Sequence, residues 1–275
     1  MPDSLLAATL ARTGAPRIAS FIVTVWGDAV APRGGSLWLG SLQAILDRFG
    51  CTPGQVRTAM SRLTEEGWLV RNRVGRLSFY RLGPRGEASF AAAAARIYAP
   101  VPPAWDGAFR LVVAPDAAAR EALLARGFAE VPGMMIGTAG AVADLPTIAP
   151  VLLATPRGAE DAREVAARAW PPGPLVAAHG RFARAFAPLR GAAVPEEEAL
   201  PLRLLLVHEW RRVALRDPGL PGALRPPDWP GHATRDTFAE IYRCLDPAAE
   251  AWLDREGRNE DGPLPPRATG RFGSG

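Results

Sequence analysis

"TPGQVRTAMSRLTEEGWLVRNRVGRLSFYRL", residues 52–82, decides how this chain is to be read. Thr52 stands where a helix N-cap belongs, Pro53 opens the first turn, and Gln55 follows three residues after the cap, so the spacing predicts a capping box and a helix after it. Val56, Ala59, Met60 and Leu63 fall on one stripe and face inward. Gln55, Arg57, Thr58, Ser61 and Arg62 face outward, with no acid before Glu65. Most charged helix faces are merely solvated, but two guanidinium groups, two hydroxyls and an amide can also bond phosphates and base edges. "WLVRNRV", Gly75-Arg76 and "LSFYRL" then read as a β-hairpin. Arg71 and Arg73 share one side of its first strand, and Arg76 sits at the tip.

Upstream, "RIASFIVTVWGDAV" places Ile18, Phe21, Ile22, Val25 and Trp26 at helical spacing, a core helix. "SLWL" reads as a short strand. "GSLQAILDRFG" resumes helical spacing through Leu42, Ile45, Leu46 and Phe49 until Gly50 ends it. Two helices separated by a short turn make a helix-turn-helix, and a basic hairpin behind them makes a winged helix. In that arrangement the helix after Thr52 enters the major groove, and the hairpin arginines lie against backbone or minor groove.

The charge distribution agrees. The 275 residues contain no lysine, so all 32 basic side chains are arginine, a residue suited to phosphate. Residues 1–86 carry 11 Arg against 5 Asp and Glu, net +6, whereas 87–275 carry 21 against 23, net −2. A polyanion would be drawn to the N-terminal third. Cys51 and Cys244 are isolated, which argues against a disulfide frame or a cysteine-rich zinc site. "MPDSLLAATLARTGAP" lacks the pattern of a secretion signal, and no apolar run approaches membrane-spanning length, so a cytoplasmic protein without membrane partners is expected.

With these pieces in place, residues 17–86 resemble the N-terminal domain of the PaaX family, bacterial regulators of phenylacetic acid catabolism. Gly27-Asp28, "LWLGSL", "VRTAMSRL", "EGW" and "GRLSFYRL" occur together and in order, and the resemblance returns in "LVHEWRRVALRDPGLPGALRPPDWPGHAT". It implies a repressor that binds operator DNA as a homodimer and is released by an aryl-CoA thioester, typically phenylacetyl-CoA. It also implies a central domain similar to the small CRISPR spacer-acquisition nuclease.

The rest of the chain is chemically quieter. "APVPPAWDG" reads as a hinge. Beyond it, strand, helix, strand, strand, helix suggests a ferredoxin-like unit over 105–170. From 171 to 256 the pattern is mostly helical, with Glu196, Glu197 and Glu198 in a first turn where they suit the helix dipole. Residues 257–275 are polar and rich in Gly and Pro, the composition of a disordered tail. Asp116 could serve a metal in a nucleic-acid-processing enzyme, but it also stands where a helix cap belongs. The histidines 179, 208 and 232 have no partners at ligand spacing, and no nucleophile or nucleotide-binding motif appears, so no metal, cofactor or catalytic residue is expected.

The expectation is therefore an α+β regulator with three parts: a winged helix over 16–98, a ferredoxin-like centre, and a mainly helical C-terminal domain for dimerisation and effector sensing. Gln55, Arg57, Thr58, Ser61, Arg62, Arg71, Arg73 and Arg76 face DNA. An apolar slot with basic groups for an aryl-CoA is expected from Arg203, Trp210, Arg211, Arg212, Trp229 and His232. The alternatives are a metal-dependent nucleic-acid enzyme and a DNA-binding protein indifferent to ligands.

Overall fold

A computed structural model describes residues 4–98, 104–138, 150–268 and 271–272. The chain mixes helices with small antiparallel sheets and divides into two units. The first comprises Met1–Ala99, Arg181–Arg212 and Ala233–Gly275, and the second Pro100–Gly180 and Val213–His232.

The first unit opens with a helix that periodicity did not announce, α1 (Leu5–Thr13). Ser4 caps it, and the Leu6 amide donates to Glu198 Oε2 at 3.1 Å. Glu198 thus does more than complement its own helix dipole: it closes a second helix's free N–H group. α2 (Ile18–Val25) runs on through a π-turn, Trp26–Val30, and the apolar residues that predicted a core helix are its buried face. Phe21, Ile22, Val25 and Trp26 are all within 1% of complete burial, each contributing about 1.5–3 kcal/mol relative to exposure.

β1 (Ser36–Trp38), α3 (Leu39–Asp47) and α4 (Pro53–Glu65) follow. Next comes the hairpin of β2 (Leu69–Val74) and β3 (Leu77–Leu82). The three strands form one antiparallel sheet, order β1-β3-β2, with Val74 opposite Leu77 across the turn. Gly75 has φ +60° while Arg76 stays at negative φ, the pattern of a type II′ turn, which needs glycine first. Gly83 closes the hairpin against α4's end: a Cβ there would lie 2.5 Å from the Gly67 carbonyl oxygen. α5 (Pro84–Ile97) leaves the sheet, and residues 99–103 of the expected hinge lie outside the described residues.

The first unit also takes in the end of α8 (Gly173–Phe186) and most of the long helices α9 (Glu196–Ala214) and α10 (Gly231–Glu256), followed by a small hairpin of β8 (Arg258–Asn259) and β9 (Gly262–Pro263). The stretch read as a disordered tail is therefore ordered over 257–268. Leu264 is buried, and the Ser41 hydroxyl donates to Glu256 O at 2.7 Å and accepts from the Arg258 amide at 3.2 Å. Composition suggested disorder because the stretch is polar. Its arginines instead find carboxylates upstream: Arg267 pairs with Asp246 at 2.7 Å.

In the second unit, β4 (Phe109–Val113), α6 (Ala117–Ala125), β5 (Ala129–Val131), β6 (Met134–Gly137) and β7 (Val151–Ala154) precede α7 (Ala159–Ala169). The antiparallel sheet has the order β5-β6-β4-β7. β5 is one strand more than the sequence pattern gave, because three residues are too few for alternation to show. Val112, Met135, Leu123 and Phe128 cluster on the α6 side. Phe109, Ala129 and Ile136 cluster on the other face with Ala162 and Ala166 of α7, and with Leu220 and Leu224. α7 follows the last strand, as the sequence pattern gave it, and covers the opposite face from α6.

Candidate nucleic-acid interface

α4 is held by what the sequence promised. Thr52 and Gln55 cap each other, with the Thr52 amide donating to Gln55 Oε1 at 2.9 Å, and Val56, Ala59, Met60 and Leu63 are buried. That anchoring turns Arg57, Thr58, Ser61 and Arg62 outward, and all four are exposed. Arg57 has no ion pair among the described residues. Arg62 is bonded to Glu66 at 2.7 Å, and this pair holds the guanidinium pKa up through its hydrogen bond and charge. At 72% exposed it is a solvent-screened surface i,i+4 contact, readily exchanged for a phosphate. Gln55 is spent on capping, Thr58 Oγ1 donates to Gly54 O at 3.1 Å, and Ser61 Oγ donates to Glu65 at 2.9 Å. The hydroxyls and the amide are therefore engaged within their own helix, and the arginines are what α4 offers outward.

The hairpin adds three more. Arg71 and Arg73 point to one side of β2, opposite Tyr80 and Ser78, and Arg71 Nη2 donates to Ser78 Oγ at 2.7 Å. Arg73 and Arg76 are exposed and make no ion pair among the described residues. Sequence reading passed over further exposed arginines of the same unit, among them Arg48 after α3 and Arg81 on β3. Their isolation in the sequence hid them.

The six residues grouped for an effector divide between the units, with Arg203, Trp210, Arg211 and Arg212 in the first and Trp229 and His232 in the second. Arg203 and Trp210 are interior. Arg203, wholly buried, pairs with Asp28 at 3.0 Å, Asp246 at 2.8 Å and Glu250 at 2.6 Å. Burial works against its charge, but Asp28 and Glu250 outweigh it and hold the guanidinium pKa well up. Asp28 Oδ1 in turn accepts from the Tyr98 and Tyr242 hydroxyls at 2.7 and 3.0 Å. Trp210 stacks on Phe238 at 5.0 Å and donates to Ile97 O at 2.9 Å. Both were read as ligand-facing because they are polar or amphipathic, and both instead close the core. Arg211 donates to Ser20 Oγ at 2.6 Å, and Arg212 is exposed beside Glu209. Trp229 and His232 belong to the second unit, the first half-buried and the second exposed.

Elsewhere, Asp116 Oδ1 accepts from the Ala119 amide at 2.8 Å, which makes it the cap of α6. Among the described residues no group of three or more His, Cys, Asp or Glu is placed to hold a metal, and no helix is long and apolar enough to cross a membrane.

A helix with two outward arginines, backed by a hairpin with arginines at its side and tip, is a surface suited to a polyanion. Family comparison sharpens this. Residues 17–86 match the PaaX-like protein family, and residues 170–255 match the PaaX-like protein C-terminal domain. The chain is 36% identical to the transcriptional repressor PaaX of Escherichia coli K12 over 273 residues, covering 90% of this chain and 86% of that one. The chain belongs to the PaaX-like family. An uncharacterized protein of Mycobacterium tuberculosis shares the fold, with a TM-score of 0.55 at 22% identity, covering 84% of this chain and 96% of that one.

Proposed function

We propose that the chain is a DNA-binding transcriptional repressor whose N-terminal unit is a winged helix. The observation that carries this is the outward face of α4 with the β2–β3 hairpin: Arg57, Arg62, Arg73 and Arg76 are exposed on elements fixed by a buried core. On this reading α4 enters the major groove and Arg73 and Arg76 rest on the phosphate backbone. The similarity to a relative titled as a transcriptional repressor supports it.

The operator is read by a homodimer. Val151, Leu152 and Leu153 of β7, an edge strand, are 41%, 54% and 68% exposed, and a flat apolar edge is a pairing surface that a monomer would be expected to guard. The second unit's sheet is ferredoxin-like on this reading. An aryl-CoA thioester such as phenylacetyl-CoA, acting on an operon for aromatic-acid breakdown, favours the DNA-free conformation. Binding of DNA selected from a random pool tests the reading. Wild type should enrich a paired half-site, and Arg57→Ala with Arg62→Ala should enrich none.

A further inference from the structure

The second unit contains a cavity of about 900 Å³, at the upper end of the size that takes drug-sized ligands. It lies between α7 with the residues that follow it and the loop that ends at Trp229. Two indoles, Trp170 and Trp229, form walls with Leu175, Leu220 and Leu224. Both indoles are held in place. Trp170 Nε1 donates to Gly127 O at 3.0 Å. Trp229 is met edge-on by the His179 ring at 5.2 Å, and the Arg225 guanidinium lies 4.9 Å from its ring. Arg225 is itself buried and donates from Nε to Leu220 O at 2.6 Å. Proline residues on both sides, at 171, 172, 218, 226 and 227, stiffen the rim.

The charges at this cavity are not balanced by one another. Glu164 is paired with Arg168, and Asp217 accepts from the Gly219 amide at 2.8 Å and meets Arg225 at 3.5 Å. Arg163 and Arg216 also line the cavity, are exposed, and make no ion pair among the described residues. Only Glu160, in α7's first turn where the helix dipole favours it, remains to offset them. A pocket with flat indole walls and two uncommitted guanidinium groups suits a ligand that is planar and apolar at one end and anionic at the other. A single-ring acid would leave most of the volume unfilled, so the anionic end belongs to a larger carrier.

We infer that this cavity is a binding site for a planar apolar group joined to a bulky anionic carrier. Trp170 and Trp229 enclose the ring, and Arg163 and Arg216 hold the anion. The inference rests on the ligand-relieved part of the proposed function, and it builds the sensing site from second-unit residues, without Arg203 or Trp210.

Calorimetry on the full chain with two probes, phenylacetyl-CoA and 1-anilinonaphthalene-8-sulfonate, tests it, with DNA release measured in parallel. Ala167 lines the cavity from an exposed position on α7, so Ala167→Phe narrows the site without touching the core. The expected result is saturable binding of both probes to wild type and at least tenfold weaker binding in Ala167→Phe and in Arg163→Ala with Arg216→Ala. Unfolding midpoint and DNA affinity should stay unchanged, and DNA should no longer be released by the thioester. Thioester-driven release that persists undiminished in Ala167→Phe would overturn the site while leaving the repressor reading intact. Sulfonate binding that depends on Ala167 and both arginines, with no thioester binding, would support the site and reject the aryl-CoA effector. No binding of either probe to wild type would overturn the inference.

Discussion

Arg57 and Arg203 are the same residue set to opposite tasks. Arg57 stands on α4 with its guanidinium in solvent and no ion pair among the described residues, whereas Arg203 is wholly enclosed and meets three carboxylates. A chain without lysine uses arginine for both, so composition alone cannot separate a DNA-facing charge from a structural one. Partners separate them. Around Arg203 the acids come from both ends of the chain, Asp28 near the start and Asp246 and Glu250 on α10. Arg33, also buried, pairs with Glu250 and Asp254, and Arg267 joins from beyond the last helix. This network ties the residues ahead of the β1 strand to α9 and α10, while the outer arginines are left for a partner molecule.

The largest expected effect breaks the inner half of this comparison. Arg203→Met leaves Asp28 buried without its countercharge, while Glu250 keeps Arg33 and Arg267, and should cost roughly 3–5 kcal/mol in urea unfolding. A loss below 1 kcal/mol would mean that the network is not structural. The outer half predicts the reverse pattern. Arg57→Ala or Arg62→Ala should leave stability within about 0.5 kcal/mol of wild type and cost about 1–3 kcal/mol of operator affinity wherever the arginine makes a bidentate base contact. Unchanged operator affinity in the double variant would remove α4 from the interface.

A third test concerns pH and sharpens the inner half. His208 sits beneath Phe21 with Nδ1 2.8 Å from Thr24 Oγ1. Burial, then the charges of Arg211 and Arg212, lower its pKa from 6.5 to about 3. The folded state therefore binds its proton later than the unfolded state does. Stability from this group is full above 6.5 and is lost as pH falls from there toward 3. Between pH 7.5 and 5 the loss should be about 2 kcal/mol. His208→Gln should flatten that part of the profile, and an unchanged profile would contradict the assignment.

The smallest effect concerns the hairpin tip. Arg76→Ala should weaken binding to all DNA alike and lower the salt slope by about one ion. A change in sequence preference would instead place Arg76 against bases.

How much of this could be read from residues alone follows the range of the interactions. α4 and the hairpin were legible because their causes are local: Thr52 and Gln55 cap each other, Val56 and Met60 are one turn apart, and Gly75 makes its own turn. The burial of Arg203 was not legible, since Asp28 is brought to it only by the fold. α1 escaped notice for a similar reason, as Glu198, which closes its first turn, lies far along the chain. The order of residues 257–268 was hidden by composition, because the polar groups that suggested a tail are satisfied by Ser41, Asp246 and Glu250. Within the candidate site, sequence identified the outward residues of α4 but could not show that Gln55, Thr58 and Ser61 bond within their own helix.

The most direct test of the division between outer and inner arginines is selection of bound DNA by the full chain carrying Arg57→Ala, Arg62→Ala, Arg73→Ala and Arg76→Ala together, beside wild type, with urea unfolding of both. The account predicts that wild type enriches a paired half-site motif, that the fourfold variant enriches none, and that the two unfold at the same urea concentration. Recovery of the same motif by the variant at unchanged affinity would contradict it.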